Sequence, residues 1–376
     1  MRWRVATGSD LLEPLNDSEH MRHALRLAAR GLGLVAPNPA VGCVIVSRLG
    51  RIVGRGWTGR GGRPHAETIA IAQAGDAARG GTAYTTLEPC AHHGETPPCA
   101  DALVRAEIAR VVGAVEDPDP RVGGRGFDRL RQAGLDVLTP FLAREAAEMN
   151  RGFFLRITNR RPLVTLKIAA SLDGRIASAG GESHWITGME ARRFAHLLRA
   201  RHDAVLVGIE TALADDPLLT CRIPGIEQDS PVRVVLDTRL RLREQSKLAR
   251  SAREIPTLLF TVAEGGAALA ETGIEIVKVQ RDVRGRPDIG AVLNELASRG
   301  ITRLLVEGGS SVHASFLDRK LADRLEVFRA PLALGASGHA AIDALAAFGL
   351  DEAPRFVRAG TLELGADLLE SFEARH

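Results

Sequence analysis

Two α/β units of unlike architecture are what this sequence predicts, and three observations carry the prediction. The chain has 376 residues, and domains commonly hold about 100–200, so two units are the default. Both halves alternate short β-branched runs with stretches of helical period, the pattern of sheets covered by helices. A basic, proline-marked break at residues 156–162, ending in Arg160-Arg161-Pro162, separates halves that share no repeat. The division is therefore residues 1–15 as an N-terminal extension, 16–158 as a first domain and 159–376 as a second.

The opening fifteen residues have no periodicity. The first helix starts near Asp17 or Ser18, either of which can cap it. Met21, Ala24, Leu25 and Ala28 recur at i, i+3, i+4, i+7, and Gly31 stops the run. Pro37-Asn38-Pro39 is a rigid loop, in which Asn38 either fixes a turn or hydrogen-bonds a substrate. Residues 41–46 and 52–57 are strands joined by a turn at 48–50. A glycine-rich loop at 59–63 leads into a short helix from His65 to about 74. Strands at 83–87, 111–115 and 135–138, with helices at 99–106 and 142–150, complete a sheet of mixed order.

The second domain opens with a strand at 163–169 and a helix at 190–199. Strands follow at 204–207, 232–236, 256–260 and 274–279, and a helix at 289–298 feeds a strand at 303–306. Strands alternating with helices imply a mostly parallel sheet covered on both faces.

Composition narrows the function. Hydrophobic residues make up 45% and charged residues 25%, which excludes disordered and low-complexity classes. Lys and Arg exceed Asp and Glu by 49 to 46, a net charge of +3. There is no dense basic block with interleaved aromatics, so nucleic acid is not an expected partner. The arginines suit small phosphorylated ligands. No run of 18 apolar residues exists, so no membrane span is expected, and residues 1–15 lack a signal peptide's apolar stretch. Four cysteines, Cys43, Cys90, Cys99 and Cys221, are too few for a disulfide framework in so long a chain, and the cytoplasm is the expected compartment. Cys43 and Cys221 read as core residues; His20 and His23 read as a surface pair.

His65-Ala66-Glu67, then Pro89-Cys90, then Cys99 form the most specific pattern. One His and two Cys are ligands suited to tetrahedral zinc, and three protein ligands leave a position for water, as catalytic sites do. Zinc lowers the pKa of a bound water to about 7. Glu67, two residues past His65, can take that proton and hand it on without ligating the metal. The pattern is that of zinc nucleobase deaminases, except that eight residues separate the cysteines instead of two. From spacing alone, a helix-capping His65 with two core cysteines remains the alternative. His92 and His93, inside the spacer, line a loop or touch substrate.

In the second half no G-x-G-x-x-G follows a strand, so a Rossmann domain is not supported. The strand at 303–306 instead runs into Glu307-Gly308-Gly309-Ser310-Ser311, where a helix start favours phosphate. Further clusters are Lys167 to Trp185 and Thr211 to Arg222, the latter containing Asp215-Asp216-Pro217. Composition alone assigns none of them.

Beyond the extension, the whole chain resembles the bifunctional deaminase–reductases of riboflavin biosynthesis. The first half carries Pro37-Asn38-Pro39-Ala40-Val41-Gly42, His65-Ala66-Glu67, and Glu88-Pro89-Cys90 through His93-Gly94 to Thr96-Pro97-Pro98-Cys99. The second carries Lys167, Ser171-Leu172-Asp173-Gly174-Arg175, Gly181-Glu182-Ser183, Trp185-Ile186-Thr187, Asp215-Asp216-Pro217 and Glu307-Gly308-Gly309. The eight-residue spacer is this family's own form. The resemblance implies a cytidine-deaminase-like domain followed by a dihydrofolate-reductase-like domain, with Zn2+ and NADPH as cofactors. It implies hydrolytic deamination of 2,5-diamino-6-(5-phosphoribosylamino)pyrimidin-4(3H)-one, then reduction of the product's ribosyl group to ribityl. His65, Cys90 and Cys99 fall at the zinc ligands and Glu67 at the proton shuttle. Ala169, Trp185, Thr211, Asp215, Thr238, Gly309, Ser310, Ser311, Val312, His313, Ala314 and Ser315 fall where the family contacts the nicotinamide nucleotide. Ser183, Arg199, Leu219, Arg222 and Glu307 fall where it contacts substrate, and Arg199 and Arg222 make physical sense as clamps on the sugar phosphate. His184 and Cys221 lie inside these motifs without an assigned role. A homo-oligomer is implied as well. A vestigial deaminase half, an RNA-base deaminase and a non-catalytic sensor are the competing readings. The complete residue sets oppose the first and third, and the low charge opposes the second.

Overall fold

The computed structural model describes residues 16–92, 97–120, 122–346 and 349–375; the N-terminal extension and His93 lie outside them. The first unit contains α1 (Asp17–Ala28), β1 (Gly42–Val46), β2 (Ile52–Trp57), α2 (Ala66–Ala74), β3 (Thr82–Thr85) and α3 (Cys99–Arg105). It continues with β4 (Arg110–Gly113), α4 (Arg125–Gln132), β5 (Asp136–Leu138) and α5 (Ala143–Met149). The two compact units divide between Phe154 and Leu155, inside α6 (Arg151–Asn159).

The first unit is a five-stranded sheet of order β2-β1-β3-β4-β5. β1 is antiparallel to both neighbours, while β3, β4 and β5 are parallel. β1 is buried along its whole length, and its side chains alternate between faces. Cys43 and Ile45 join Ala66, Ala70, Leu103 and Phe127 in one core; Val44 and Val46 join Met21 and Ala24 in the other. Glycines let the helices close on this sheet. A Cβ at Gly42 would stand 1.9 Å from the Ala24 carbonyl oxygen, and one at Gly56 would stand 2.0 Å from that of Ala66. The seat on β2 fixes the height of α2, whose first turn carries Glu67.

Two details differ from the sequence reading. The cap of α1 is Asn16, whose side chain and Glu19 form a reciprocal capping box, not Asp17 or Ser18. Asp17 instead accepts from Tyr84 Oη at 2.7 Å and pairs with Arg110. His20 is not on the surface: it is 3% exposed, with its ring 5.0 Å from that of Tyr84. The α1 stripe is wider than the apolar residues alone indicate, because Tyr84 gives an aromatic neighbour to a half-polar ring.

The second unit comprises β6 (Leu163–Ser171), β7 (Arg175–Ala177), α7 (Met189–Ala200), β8 (Ala204–Gly208), α8 (Ile209–Asp215), β9 (Val232–Leu236) and α9 (Lys247–Arg250). It continues with β10 (Thr257–Thr261), α10 (Ala267–Glu271), β11 (Glu275–Lys278), α11 (Ile289–Ser298), β12 (Arg303–Gly308) and α12 (Ser310–Asp318). β13 (Arg324–Ala330), β14 (His339–Ala340), β15 (Phe356–Leu364) and β16 (Asp367–Ala374) complete it. Nine strands pair in the order β11-β10-β9-β8-β12-β6-β13-β16-β15. All pairings are parallel as far as β13; β16 and β15 add antiparallel. The parallel part is the predicted sheet, with a core on each face: Leu304 and Val306 point to one, Leu305 to the other. The C-terminal ends of β6, β8, β12 and β9 therefore share one edge, where open α/β sheets bind ligands.

Candidate active sites

Three element ends meet in the first unit. His65 is the N-cap residue of α2, Cys90 follows β3 after a short loop, and Cys99 opens α3. Their ligand atoms all lie within 4.8 Å of one another. His65 Nδ1 is 3.2 Å from Cys99 Sγ and 3.7 Å from Cys90 Sγ. Tetrahedral zinc with ordinary bond lengths separates an N and an S ligand by about 3.6 Å, so the donor set and its spacing fit zinc. Among the described residues no fourth ligand joins the cluster. The hydrogen bond with Cys99 pulls the Cys90 thiol down to about 4, and that shared bond together with burial pushes the Cys99 thiol far up.

Glu67 is 3% exposed and its carboxyl lies beside Cys90, Cys99 and His65, close enough to interact with their charges. Burial raises its pKa, which suits a group that must take a proton and give it back. The carboxylate of Glu88, a residue the sequence reading left without a role, accepts from the backbone N–H groups of Gly126 at 2.6 Å, Gly124 at 2.9 Å, Asp117 at 3.1 Å and Phe127 at 3.4 Å. It caps α4 from outside and ties that helix to the segment that carries Cys90. A Cβ at Gly126 would stand 1.9 Å from the Pro89 carbonyl oxygen, so the approach requires glycine. Burial pushes Asp117, on the same loop, up to about 6. Asn38 donates to the Gly61 carbonyl at 3.4 Å, which favours its turn-fixing reading, and His92 is exposed.

The second unit holds a cleft of about 1320 Å³ at the shared strand edge. Ala169 from β6, Thr211 and Asp215 from α8, Thr238 after β9, and Gly309, Ser310, Ser311, Val312, His313 and Ser315 all line it. So do Ser183, Trp185, Arg199, Leu219, Arg222 and Glu307. Ala314 does not line it; it is 5% exposed on the packed side of α12. α12 starts at the glycine pair with no side-chain cap, leaving its first N–H groups for an anion. Leu219 is held at φ 54°, a costly conformation for a branched side chain that is found where structure serves a site.

Arg199 is tied to another of the expected substrate contacts. Its Nε and one terminal nitrogen meet both Glu307 oxygens at 2.6 and 2.9 Å, and its other terminal nitrogen meets the Thr220 carbonyl at 2.9 Å. Three of its five N–H groups are engaged in this way, so Arg199 holds Glu307 and keeps one N–H on each terminal nitrogen at the cleft. Although burial opposes ionisation, the Arg199 guanidinium holds Glu307 down at about 2. Arg222 is different: Nε donates to His196 Nε2 at 3.3 Å, which leaves its terminal nitrogens facing the cleft. His196, absent from the sequence reading, has Nδ1 3.0 Å from the Thr220 carbonyl. Burial, helped by Arg199 and Arg222, lowers its pKa to about 4, so it is the neutral tautomer that donates to Thr220 and accepts from Arg222. No sequence spacing signals this. His196→Ala should raise the KM for the phosphorylated substrate of this cleft about tenfold with kcat little changed; an unaltered KM would remove His196 from the site. Lys167, on β6, lies near Glu307, Arg199 and Asp215, and burial lowers its pKa. His184 Nδ1 lies 3.2 Å from Ser183 Oγ, and Cys221 is buried as expected. Among the described residues no helix is long and apolar enough to cross a membrane.

Comparison with known proteins agrees with both units. Residues 14–115 match the cytidine and deoxycytidylate deaminase zinc-binding region, and residues 162–366 match the RibD C-terminal domain. Riboflavin biosynthesis protein RibD of Aquifex aeolicus is 40% identical over 359 residues, covering 95% of this chain and 98% of that one. Its Escherichia coli counterpart is 39% identical, covering 94% and 98%. The solved RibD of Acinetobacter baumannii superposes with a TM-score of 0.86 at 37% identity, covering 96% and 99%. A Thermotoga maritima structure described as a diaminohydroxyphosphoribosylaminopyrimidine deaminase/5-amino-6-(5-phosphoribosylamino)uracil reductase gives 0.84 at 35%, covering 95% and 98%. A zinc-binding deaminase half and a reductase half, matched along nearly their whole length, place this chain in the RibD family, the bifunctional deaminase–reductases of riboflavin biosynthesis.

Proposed function

We propose that the first unit deaminates 2,5-diamino-6-(5-phosphoribosylamino)pyrimidin-4(3H)-one and that the second reduces the ribosyl chain of the resulting 5-amino-6-(5-phosphoribosylamino)uracil. The observation that carries the first step is the His65, Cys90, Cys99 cluster with the buried Glu67 carboxyl against it. Zinc held by those three residues makes a water acidic near neutral pH. Glu67 takes one proton from the attacking water and gives it to the ring nitrogen as the amino-bearing carbon becomes tetrahedral; it then takes the remaining proton from the new hydroxyl and gives it to the amino group, which leaves as ammonia as the carbonyl forms. Glu88 keeps the Cys90 segment and α4 in register during this exchange.

For the second step NADPH supplies hydride. The N–H groups at Gly309, Ser310 and Ser311 suit its pyrophosphate. Ala169, Trp185, Thr211, Asp215 and Thr238, with Val312, His313 and Ser315, line the rest of its path. Arg222, oriented by His196, meets the substrate phosphate, and Ser183, Leu219 and the Arg199-held Glu307 orient the sugar and base. The substrate is a small molecule and nucleic acid is not a partner. Four cysteines without a disulfide among them suit the cytoplasm, and the family likeness favours a homo-oligomer.

The test is ammonia release from the diaminopyrimidinone ribotide, first without and then with NADPH. Ammonia without NADPH, followed by NADPH consumption after its addition, is the expected result. Zinc-loaded protein that releases no ammonia under either condition would leave only the reductase.

A further inference from the structure

The cleft of the second unit has more cations than its anionic substrate needs, and almost all of them are engaged. Arg199 holds Glu307 and Arg222 is anchored on His196. Arg241 pairs with Glu210, Lys247 with Asp216, and Arg286 with Asp282. Arg192 lies over Trp185 and donates to the Thr187 carbonyl. Two lining guanidiniums, those of Arg239 and Arg284, have no ion-pair or hydrogen-bond partner among the described residues. Both are exposed. Arg239 follows β9, and Arg284 lies in the turn after β11, whose backbone is fixed by Asp282 accepting from the N–H groups of Arg284 and Arg286 at 2.9 and 2.8 Å.

Their place along the sheet says what they can meet. The order β9-β8-β12-β6 sets Thr238 and Arg239 three strand spacings, about 14 Å, from Ala169 on β6. Between them, at the end of β12, lies the N-terminus of α12. A dinucleotide whose nicotinamide lies at β6 and whose pyrophosphate lies at α12 has its adenosine end over β9. Two unengaged guanidiniums at that end are matched to a phosphate dianion, the group that separates NADPH from NADH. We infer that Arg239 and Arg284 bind the 2′-phosphate of the nucleotide and so set the preference for NADPH.

This inference rests on the reductase reading of the cleft, and its test separates the two. Binding of adenosine 2′,5′-bisphosphate and of adenosine 5′-monophosphate is measured by calorimetry on the full chain, wild type and Arg239→Ala, Arg284→Ala and the double variant, alongside steady-state kinetics with NADPH and NADH. Each single substitution should weaken the bisphosphate about tenfold or more, and the double variant should bind the two nucleotides alike. The NADPH-over-NADH ratio of kcat/KM should fall in parallel, and the bisphosphate affinity of the wild type should drop steeply with salt. Arg239→Lys should recover part of the loss. Equal weakening of both nucleotides would move these arginines to the pyrophosphate and overturn the inference, as would a double variant that keeps its discrimination. A wild-type protein that binds neither NADPH nor NADH would overturn the reductase reading itself.

Discussion

Glu67→Gln should abolish ammonia release while the protein keeps its zinc and still reduces the deaminated ribotide. The substitution is isosteric at a position 3% exposed, so α2 and its seat on Gly54 and Gly56 are undisturbed. An amide fills the same space, but it cannot take up and pass on a proton as a carboxylate does. The deamination rate should therefore fall by about 10²–10⁴-fold, the usual contribution of a general acid–base group. Metal content by emission spectroscopy should stay at that of the wild type, because Glu67 is not in the ligand set. Reduction of the uracil ribotide, presented directly, should proceed, because its cleft is built wholly from residues of the second unit. Ammonia release near the wild-type rate would refute the role given to Glu67; loss of zinc with activity would make it a structural residue.

Arg199→Met should cost roughly 3–5 kcal/mol of stability in the second unit, the range for leaving one member of a buried ion pair alone. The side chains of Arg199 and Glu307 are 13% and 8% exposed, so water cannot replace the lost partner. Glu307 titrates at about 2 in the folded chain against an ordinary value of 4.5. A carboxyl with a depressed folded pKa contributes stability that is fully present above its unfolded pKa and is lost as pH falls through its folded one. That contribution is about 3 kcal/mol at neutral pH and should decline between pH 4.5 and 2. Denaturant unfolding of wild type and variant should thus differ most near pH 7 and converge in acid. A gap independent of pH would mean that Arg199 stabilises through packing. The variant should also lose reductase activity with ammonia release retained, since Glu307 would no longer be held in the cleft.

The two sites were unequally legible. The zinc ligands were readable through the family resemblance: residue types suited to zinc pointed to His65, Cys90 and Cys99, but spacing alone left a helix-capping His65 with two core cysteines open. Strands 52–57 and 232–236 and the helix at 289–298 were readable to the residue, because each has a clean period and clear stops. α4 was not, since half of Arg125–Gln132 is charged and its N-terminus is capped by Glu88 from another part of the chain. The hairpin of β15 and β16 was missed for a related reason: β15 is largely exposed, so burial wrote no alternation into it. His20 was placed on the surface because nothing local records that Tyr84 lies across from it.

What the sequence by itself determined is two α/β units, a His, Cys, Cys set suited to zinc with Glu67 two residues past the His, and a glycine-pair helix start. These rest on local residue types and short spacings, which survive without coordinates. What only the tertiary structure decided is which charges face which. Arg199 and Glu307 are 108 positions apart, and Arg222 and His196 are 26 apart. In one dimension Arg199 and Arg222 were alike as clamps for a sugar phosphate, and nothing marked Arg239 or Arg284. Folding pairs one with a buried carboxylate, anchors another on a neutral histidine and leaves two unengaged. The physical reason is that a charge acquires its role from its neighbours' distance and burial, and neither quantity is written in the order of the residues.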